Sequence, residues 1–255
     1  MQHTPAERLP DHPLLEGAAV RPCGEAAVVI EFGETIDAAV QQRAIRLADA
    51  LDRLAPAGLR ETVPTYRSTL IEFDPLLTDW PALLAALPLE PGAEVAGTGR
   101  HLEVAVCLDG ECAEDLDEFA RACDLSAEAV RARLTASELR VGMFGFAPGF
   151  SYLYGLDPAL YVPRRTTPRP PMPAGSLIVA VGQAGFSPVS LPTGWYVVGR
   201  TPARLFDAGA ASSGNGAPVP FGLGDRLTLK PVDRAAFDAL ARAPERAVRQ
   251  VRDDG

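Results

Sequence analysis

The chain has 255 residues, of which 47% are hydrophobic and 22% are charged, a composition typical of a globular protein with room for two modest domains. Its formal net charge of −9 argues against a nucleic-acid partner, because the phosphate backbone would repel it. No apolar run approaches the ~20 residues of a membrane-spanning helix, and the N-terminus lacks the basic and apolar regions of a secretory signal. We therefore expect a cytoplasmic protein that does not bind membranes.

The first part of the chain alternates apolar strands with amphipathic helices. Apolar side chains recur on one helical face between Ile36 and Leu54, and Thr35 stands where an N-cap residue is expected. Asp79 is a candidate N-cap for a short helix that runs to Leu87. This alternation predicts a compact α+β domain. The elements predicted in it are strands at 26–32 and 69–73 and helices at 36–54 and 79–87.

The second part begins with a half-buried strand at 101–107 and changes character after Leu139. Two acidic helices are expected between these points, near 114–123 and 126–137. Short β segments separated by glycine and proline turns then favour a barrel or a sandwich. These β segments are predicted at 139–146, 177–181, 195–199 and 226–230, with a mobile loop at 208–218 and a final helix near Asp233. The predicted boundaries are a flexible tail at 1–17, an α+β domain at 18–90, a linker at 91–100, a second domain at 101–235 and a C-terminal helix and tail at 236–255.

Residues 142–207 are unusually rich in glycine and proline. Glycine lets the backbone approach a ligand closely, and proline fixes φ and lowers the entropy that a loop loses on binding. The segment therefore predicts a preorganised binding surface. The alternative is that these residues only turn corners in a small β domain.

Charge is distributed unevenly along the chain. Residues 1–140 carry 25 acidic and 12 basic side chains, whereas residues 141–255 carry 8 and 12. Five arginines in the glycine- and proline-rich segment have two acidic residues near them in sequence, which predicts an arginine-lined pocket for a carboxylate, carbamate or phosphate. The alternative is that individual arginines solvate loops or pair with the acidic half of the chain. The arginines are Arg164, Arg165, Arg169, Arg200 and Arg204, and the two acids are Asp157 and Asp207.

Residue types exclude several kinds of catalytic site in this segment. His101 is the last histidine of the chain, so residues 142–207 cannot build a Ser-His-Asp or Cys-His arrangement by themselves. A G-x-S-x-G motif and a G-x-x-x-x-G-K-[ST] phosphate loop are both absent. The four cysteines form no C-x-x-C pair and have no metal-like spacing with the histidines, so we expect buried reduced thiols and no metal site. Chemistry here would depend on a partner chain or on the reactivity of the substrate.

Four blocks of sequence between Gly145 and Asp207 carry a family resemblance: GFAPGFSYLYGLD, PRRTTPR, PAGS-x(6)-Q-x-G and GWYVVGRTPARLFD. They resemble the KipI family, whose members are also described as the B-type subunit of 5-oxoprolinase and, in older usage, as allophanate hydrolase subunit 1. The resemblance extends to AAVVIEFG, VPTYRSTLIEFDP, the VCLDGE segment and GDRLTLKPVD, and covers roughly residues 25–235.

The resemblance implies a small α+β N-terminal domain followed by a cyclophilin-like β-barrel C-terminal domain. It also implies a companion C-type subunit, of the allophanate hydrolase subunit 2 family, and a third subunit. Together these would open 5-oxoproline, a lactam, to glutamate at the expense of ATP, and the chain alone is expected to be inactive. Two alternatives follow from the same resemblance: a carboxyltransferase-like half-site of a urea-type carboxylase, and a regulatory protein that inhibits a sensor histidine kinase.

In the leading hypothesis, arginines of the segment hold anionic groups of a small lactam or amide, or of an activated intermediate. Gln183 and nearby backbone N–H groups would polarise the ring carbonyl, and Gly182 would allow a close approach. Tyr152 would form a wall of the pocket together with other aromatic side chains. The arginines assigned to this role are Arg164, Arg169 and Arg200, and the other wall residues are Phe150, Tyr154 and Trp195.

The chain departs from the family pattern at one point. Family members commonly carry a histidine shortly before the GF-x-PGF block, whereas Leu134 and Leu139 occupy that neighbourhood here. This departure weakens the expectation that 5-oxoproline is the substrate. Hydrolysis of allophanate by the chain alone is not expected either, because Lys230 is the sole lysine and no glycine-serine amidase motif is present.

Overall fold

The computed structural model describes residues 9–88, 99–213 and 217–251. The chain forms two compact units, residues 1–97 and 98–255, each with its own sheet and hydrophobic core. The predicted α+β class is confirmed, because both units combine helices with mainly antiparallel strands. Residues 91–98 of the predicted linker lie outside the described residues.

The first unit is a four-stranded antiparallel sheet whose buried face packs against two helices. The strand order is β1-β2-β4-β3. Burial alternates along the central strands, so that Ile30 and Ile71 are fully buried with Leu47 of the first helix. The elements are β1 (Ala19–Pro22), β2 (Ala27–Glu31), α1 (Ala38–Leu54), β3 (Leu59–Pro64), β4 (Ser68–Phe73) and α2 (Trp80–Ala85).

Side-chain caps set the starts of both helices in this unit. Asp37, and not Thr35 as predicted, is the N-cap of α1, since its carboxylate accepts 2.9 Å hydrogen bonds from the backbone of Ala39 and Val40. The Thr35 hydroxyl donates to the Asp37 carboxylate at 2.9 Å and so supports the cap from outside. The predicted cap at Asp79 is confirmed by its 2.8 Å bond from the N–H of Ala82.

Part of the predicted N-terminal tail belongs to the first core. The ring of His12 forms a 2.9 Å hydrogen bond with the carbonyl of Pro88, and Leu15 is buried against the sheet and helices. Residues 12–15 are therefore not a loose tail, because their contacts reach the far end of the unit in sequence.

The second unit contains an eight-stranded sheet, a two-stranded ribbon and four helices among its described residues. The order of the large sheet is β12-β9-β10-β7-β6-β13-β5-β14, and β8 pairs with β11 in the ribbon. The elements are β5 (His101–Val106), α3 (Leu116–Ala122), α4 (Ala127–Ala136), β6 (Leu139–Phe144), β7 (Ser151–Tyr154), β8 (Arg169–Met172), β9 (Ser176–Ala180), β10 (Gln183–Phe186), β11 (Leu191–Thr193), β12 (Tyr196–Arg200), α5 (Ala208–Ser213), β13 (Arg226–Pro231), α6 (Arg234–Ala241) and β14 (Val248–Gln250).

The cyclophilin-like barrel implied by the resemblance is not confirmed, because the large sheet has two ends. Its sides do meet at one point among the described residues. There Cys107, just after β5, exchanges two 2.9 Å backbone hydrogen bonds with Arg200 at the end of β12. This bridge fixes the end of β12 next to the segment that follows β5.

Several elements of the second unit were missed by the sequence patterns. β7, β8, β10 and β11 are only three or four residues long, too short to show a clear period of two. Residues 208–213 of the predicted mobile loop form helix α5, and residues 214–216 lie outside the described residues. The final helix begins after Asp233 as expected.

Candidate functional site

The two faces of the large sheet have different roles around β7, β10, β9 and β12. Alternate side chains on one face, such as Leu153, Ala184 and Val179, join the main core of the unit. Side chains on the opposite face form a smaller apolar cluster that includes Ile178 and Val197. The ribbon contributes the fully buried Met172 to this second cluster, so β8 and β11 cover part of that face.

Aromatic rings extend the small cluster towards solvent. The ring of Tyr152 lies 4.7 Å from that of Phe150 and 6.1 Å from that of Trp195, measured between ring centroids. Phe146 makes an edge-on contact with Phe150 at 5.7 Å. At the other end, the guanidinium carbon of Arg164 lies 5.9 Å from the centroid of the Trp195 ring, within the range of a cation–π contact. We call these five side chains the aromatic–arginine face.

Backbone geometry explains why the rings gather here. Gly185 lies directly opposite Tyr152 in the β10–β7 ladder, and a Cβ added to this glycine would lie 3.3 Å from the ring of Phe150. The absence of a side chain thus leaves room for the Phe150 ring on the strand. A larger residue at position 185 would displace Phe150 and the rings in contact with it.

Arg164 is the cation of this face that is available to a ligand. It is exposed and has no carboxylate partner among the described residues. The backbone on both sides of it is tied down, because Arg165 donates its N–H to Gly194 at 2.8 Å and Val162 accepts one from Val181 at 2.8 Å. The guanidinium group is therefore presented from a fixed loop with its hydrogen-bond donors directed to a possible anion.

The phenol of Tyr152 is held in its protonated form. Partial burial raises the pKa of Tyr152 above its ordinary value, and the positive charge of Arg164 partly offsets that rise. At neutral pH the hydroxyl is therefore a hydrogen-bond donor beside a cation. Such a pair can bind a carboxylate and a neighbouring carbonyl oxygen together.

Gln183 and Gly182 lie at the tip of the β9–β10 hairpin. Gln183 begins β10 two residues before Gly185, so its side chain is on the same face as Tyr152, about 7–8 Å along the diagonal of the ladder. Gly182 is half of a two-residue turn with φ of +75°, and an added Cβ would lie 2.9 Å from the ring of Tyr161. Gly182 therefore serves the turn and the packing of Tyr161, and the structure gives it no contact with the aromatic–arginine face.

Arg165 and Arg169 belong to a different arrangement, which we call the Asp115 network. Asp115 accepts a 2.7 Å hydrogen bond from Arg169, lies 3.0 Å from a guanidinium nitrogen of Arg165, and accepts a 2.7 Å bond from the N–H of Val197. Its side chain is 8% exposed, and those of Arg165 and Arg169 are 16% and 13% exposed. Glu118 pairs with Arg165, and Glu114 pairs with Arg169. Both guanidinium groups are therefore neutralised within the fold.

Arg200 does not join the other predicted residues either. Its Nε donates to the carbonyl of Ala174 at 3.0 Å, and its guanidinium carbon lies 5.6 Å from the centroid of the Phe237 ring. Phe237 packs with the buried Cys107 and Cys112. Burial and the adjacent Cys107 raise the pKa of the Cys112 thiol to about 12, so this thiol is protonated at neutral pH.

The prediction that five arginines stand among only two acids is wrong in three dimensions. Helix α3 and the turn before it bring Glu114, Asp115 and Glu118 against two of the arginines, across about fifty residues of sequence. Arg204 pairs with Asp207 at 2.8 Å. The acidic run at 114–118 was visible in the sequence, but helical periodicity marked it as a solvated helix face.

Three further features bear on the predicted site. Leu134 and Leu139, which stand near the expected family histidine, are fully buried in the main core. Of the four cysteines, Cys23 is exposed, contrary to the expectation of buried thiols. Among the described residues, no group of three or more His, Cys, Asp or Glu side chains is placed to hold a metal ion.

A cavity of about 420 Å³ lies elsewhere in the second unit. Its lining includes Arg100 and Arg204, but these are paired with Asp225 and Asp207. None of the six residues assigned to the substrate lines this cavity. The aromatic–arginine face is therefore the better candidate site, since it combines two of those residues and its cation has no carboxylate partner in the described part of the chain.

Comparison with known proteins identifies the family. Residues 18–214 match the family model described as the carboxyltransferase domain, subdomain C and D. The chain belongs to this carboxyltransferase-domain family. The match begins at β1 and includes the whole aromatic–arginine face, and it confirms the family that the sequence blocks indicated.

Curated relatives of this family member carry one name, that of the B-type subunit of 5-oxoprolinase. The chain is 35% identical over 196 residues to the relative from Bacillus subtilis (strain 168), covering 72% of this chain and 82% of the relative. It is 32% identical over 196 residues to the relative from Haemophilus influenzae (strain ATCC 51907 / DSM 11121 / KW20 / Rd), covering 74% and 89%.

Solved structures support the fold assignment. The crystal structure of TTHA0988 superimposes with a TM-score of 0.70 at 34% identity, over 84% of this chain but only 41% of the longer TTHA0988 chain. Kluyveromyces lactis urea carboxylase superimposes with a TM-score of 0.68 at 17% identity, over 92% of this chain and 24% of that enzyme. At that identity the second match shows a shared fold alone. In residues 9–88, 99–213 and 217–251, no helix combines the length and hydropathy needed to cross a membrane.

Proposed function

We propose that this chain is the B-type subunit of a 5-oxoprolinase complex that opens a small lactam to an amino acid, with 5-oxoproline giving glutamate. The observation that carries the proposal is the placement of Arg164, which has no carboxylate partner among the described residues, beside Trp195 and the protonated Tyr152. The names of the relatives at 32–35% identity support membership of such a complex. The proposed partners are a companion C-type subunit and a third subunit.

The chemistry of 5-oxoproline fits the groups of this face. Its carboxylate matches the guanidinium fork of Arg164, and its ring carbonyl is an acceptor for the phenol of Tyr152. The lactam N–H and carbonyl could both be met by an amide side chain such as that of Gln183, which we find without a hydrogen-bond partner among the described residues. Trp195 and Phe150 supply the apolar floor for the ring carbons.

This division of roles differs from the one expected from sequence. Arg164 keeps the role of anion binding, whereas Arg169 is assigned to the support of the fold through Asp115. Arg200 is assigned to the contact with Ala174 and Phe237. The face offers binding and polarising groups but no nucleophile, so the attacking group must come from water or from another chain of the complex.

ATP is part of the proposal as a substrate of the complex. This chain has no G-x-x-x-x-G-K-[ST] loop, so the sequence supplies no phosphate-binding motif for it. Nucleotide binding measured separately on each purified chain would assign the site. The chain by itself is expected to leave both ATP and 5-oxoproline unchanged.

Reconstitution tests the proposed function. The three subunits together should produce glutamate from 5-oxoproline only when ATP is present, and omission of this chain should abolish the reaction. Arg164→Ala should lower kcat/KM by about 100-fold, because a charged hydrogen-bonded contact contributes about 1.5–3 kcal/mol. The matched control is Arg249→Ala, since Arg249 is an exposed arginine of β14 paired with Glu103. Glutamate formation that ignores Arg164→Ala would refute the site, and no glutamate from any combination would refute the function.

Binding can be followed without the complete complex. The chain has two tryptophans, so Trp80→Phe leaves Trp195 as the sole reporter at the site. Addition of 5-oxoproline should change the emission of Trp195, because the carboxylate would draw Arg164 away from the indole ring. Arg164→Ala in the same background should remove that response, whereas pyrrolidinone, the same lactam ring without the carboxylate, should produce none.

A further inference from the structure

Two exposed apolar residues of the second unit are held in strained backbone conformations. Among the described residues, four non-glycine residues have a positive φ, and Phe146 and Val181 are two of them, with φ of +69° and +47°. Side-chain-bearing residues rarely adopt such values, least of all bulky or β-branched ones. Both side chains are nevertheless exposed, Phe146 to 77% and Val181 to 51%. Burial in this chain therefore does not account for either conformation.

Local hydrogen bonds fix Phe146 in this position. The N–H of Ala147 donates to the carbonyl of Gly145 at 2.8 Å, which closes a three-residue γ-turn with Phe146 at its centre. The turn with positive φ is the rare and strained form. The N–H of Phe150 also donates to the carbonyl of Ala147 at 2.9 Å, so the loop is fixed on both sides. The ring is thus directed outwards by a rigid loop.

Val181 occupies the first position of the two-residue turn between β9 and β10. Both turn residues have positive φ, the type I′ geometry in which Asn-Gly is strongly preferred. Valine is therefore a poor choice for the turn itself. Tyr161, 53% exposed, lies against the adjacent Gly182, so two exposed apolar side chains share the hairpin tip. We call Phe146, Tyr161 and Val181 the anchor residues.

The anchor residues stand at opposite ends of the proposed site. Phe146 contacts Phe150, whose ring lies on Gly185, and Val181 lies four residues before Gly185, about 13 Å along an extended strand. A protein interface of ordinary size buries about 800 Å² on each partner, which corresponds to a patch about 30 Å across. One partner surface can therefore contact both ends and close over Arg164 and Tyr152 between them.

We propose that the anchor residues dock a non-identical protein chain, the companion C-type subunit, which completes the site by covering the aromatic–arginine face. This inference rests on the proposed function, in which such a companion exists. A second copy of this chain fits the surface poorly. A twofold contact would place two Arg164 guanidinium groups across one interface without a carboxylate between them. The partner surface is expected to carry apolar recesses for a phenyl ring and for a small aliphatic side chain.

The strain makes the proposal sharply testable, because relief of strain and loss of docking should occur in the same variants. Phe146→Asn and Val181→Asn place at each site a residue that tolerates positive φ. We expect each variant to raise the thermal midpoint of the isolated chain by about 2–4 °C and to weaken the Kd for the companion at least 10-fold. Calorimetric titration of the two purified chains and a thermal scan measure these effects. Phe146→Gly and Val181→Gly serve as second variants, since glycine accepts either backbone conformation.

A matched control separates strain from docking. Ala55, the C-cap of α1 in the first unit, also has a positive φ of 44°. Ala55→Gly should raise the thermal midpoint by a similar amount and leave the Kd for the companion unchanged.

The outcomes distinguish this inference from the function on which it rests. Unchanged affinity in both anchor variants would overturn the docking surface while leaving glutamate formation intact. Loss of affinity in a complex that converts no 5-oxoproline would keep the docking surface and overturn the proposed function. Self-association of this chain that Phe146→Asn abolishes would assign the surface to a second copy and overturn the inference.

Discussion

Arg164 and Arg165 are neighbours in sequence and have opposite environments. Arg165 lies against the ring of Tyr196 and pairs with Asp115 and Glu118, with 16% of its side chain exposed. Arg164 lies over Trp195, is exposed, and has no carboxylate partner among the described residues. Residue type and local sequence are the same for both. The difference arises because successive side chains of an extended segment point in opposite directions, one towards α3 and the other towards solvent.

The Asp115 network and the aromatic–arginine face therefore divide the arginines between structure and binding. In the network, charge is buried and balanced, so its disruption should affect the stability of the fold. On the face, the cation is exposed, so its removal should affect ligand binding and leave stability nearly unchanged. This division can be tested by substitutions on each side.

The largest effect is expected at the centre of the network. Asp115→Ala would leave two poorly exposed guanidinium groups and the N–H of Val197 without their acceptor. Removal of one member of a buried ion pair typically costs about 3–5 kcal/mol, and we expect a loss of this size in the free energy of unfolding. Urea denaturation measures it. Asp238→Ala, in an exposed pair with Arg234, should change stability by less than about 0.5 kcal/mol. A loss below about 1 kcal/mol for Asp115→Ala would show that the network is not structural.

A smaller effect should separate two arginines directly. Arg169→Ala should lower the free energy of unfolding by about 2–3 kcal/mol, because it leaves Asp115 and Glu114 short of a partner. Arg164→Ala should change it by less than about 0.5 kcal/mol, as substitutions at exposed sites usually do. The same denaturation measurement on both variants decides the matter. Equal losses would mean that Arg164 also supports the fold, and the distinction between the two regions would be lost.

The smallest effect concerns the ionisation of Tyr152. Burial raises its pKa and the charge of Arg164 lowers it, so Arg164→Ala should raise the pKa of Tyr152 further. Phenolate absorbance at alkaline pH, compared with and without Tyr152→Phe, measures the shift. An unchanged or lowered pKa in Arg164→Ala would show that the two groups do not interact.

The same ionisation predicts a dependence of stability on pH. A phenol whose folded pKa is raised contributes its stabilisation below the ordinary tyrosine value of about 10, and loses it as the pH rises through the folded pKa. The free energy of unfolding should therefore fall in that alkaline range. Tyr152→Phe should make the fall smaller, while the similar contribution of Tyr196 remains.

Much of the fold could be predicted from the sequence where the elements are long. The face of α1 that contains Ala44, Leu47 and Leu51 is buried as its 3.6-residue period predicts. The caps at Asp79, Ser126 and Asp233 follow from residue type at the helix starts. The cap of α1 was misplaced by two residues because Thr35 and Asp37 are both good capping residues, and only the backbone conformation distinguishes them.

The candidate site was predicted less completely. Tyr152, Trp195 and Arg164 were identified and do come together, since the sheet and the loop before the ribbon bring them to one face. Arg169 and Arg200 were assigned to the same pocket because they are close in sequence, but β8 and β12 present them to other partners. Asp115 was missed, because nothing in an acidic helix start indicates that a β-strand far along the chain will bury it.

The sequence by itself determined the family, the α+β class and the segment that bears the site, because those depend on residue type, periodicity and ordered blocks of sequence. Only the tertiary structure decided which arginines are neutralised within the fold. That choice depends on long-range pairing, in which residues 114–118 contact residues 165–197, and a charge without a local partner in sequence can still be neutralised by a distant one. The strain at Phe146 and Val181 is likewise a property of turns, since hydrogen bonds that close the turns impose a positive φ on residues whose types do not favour it.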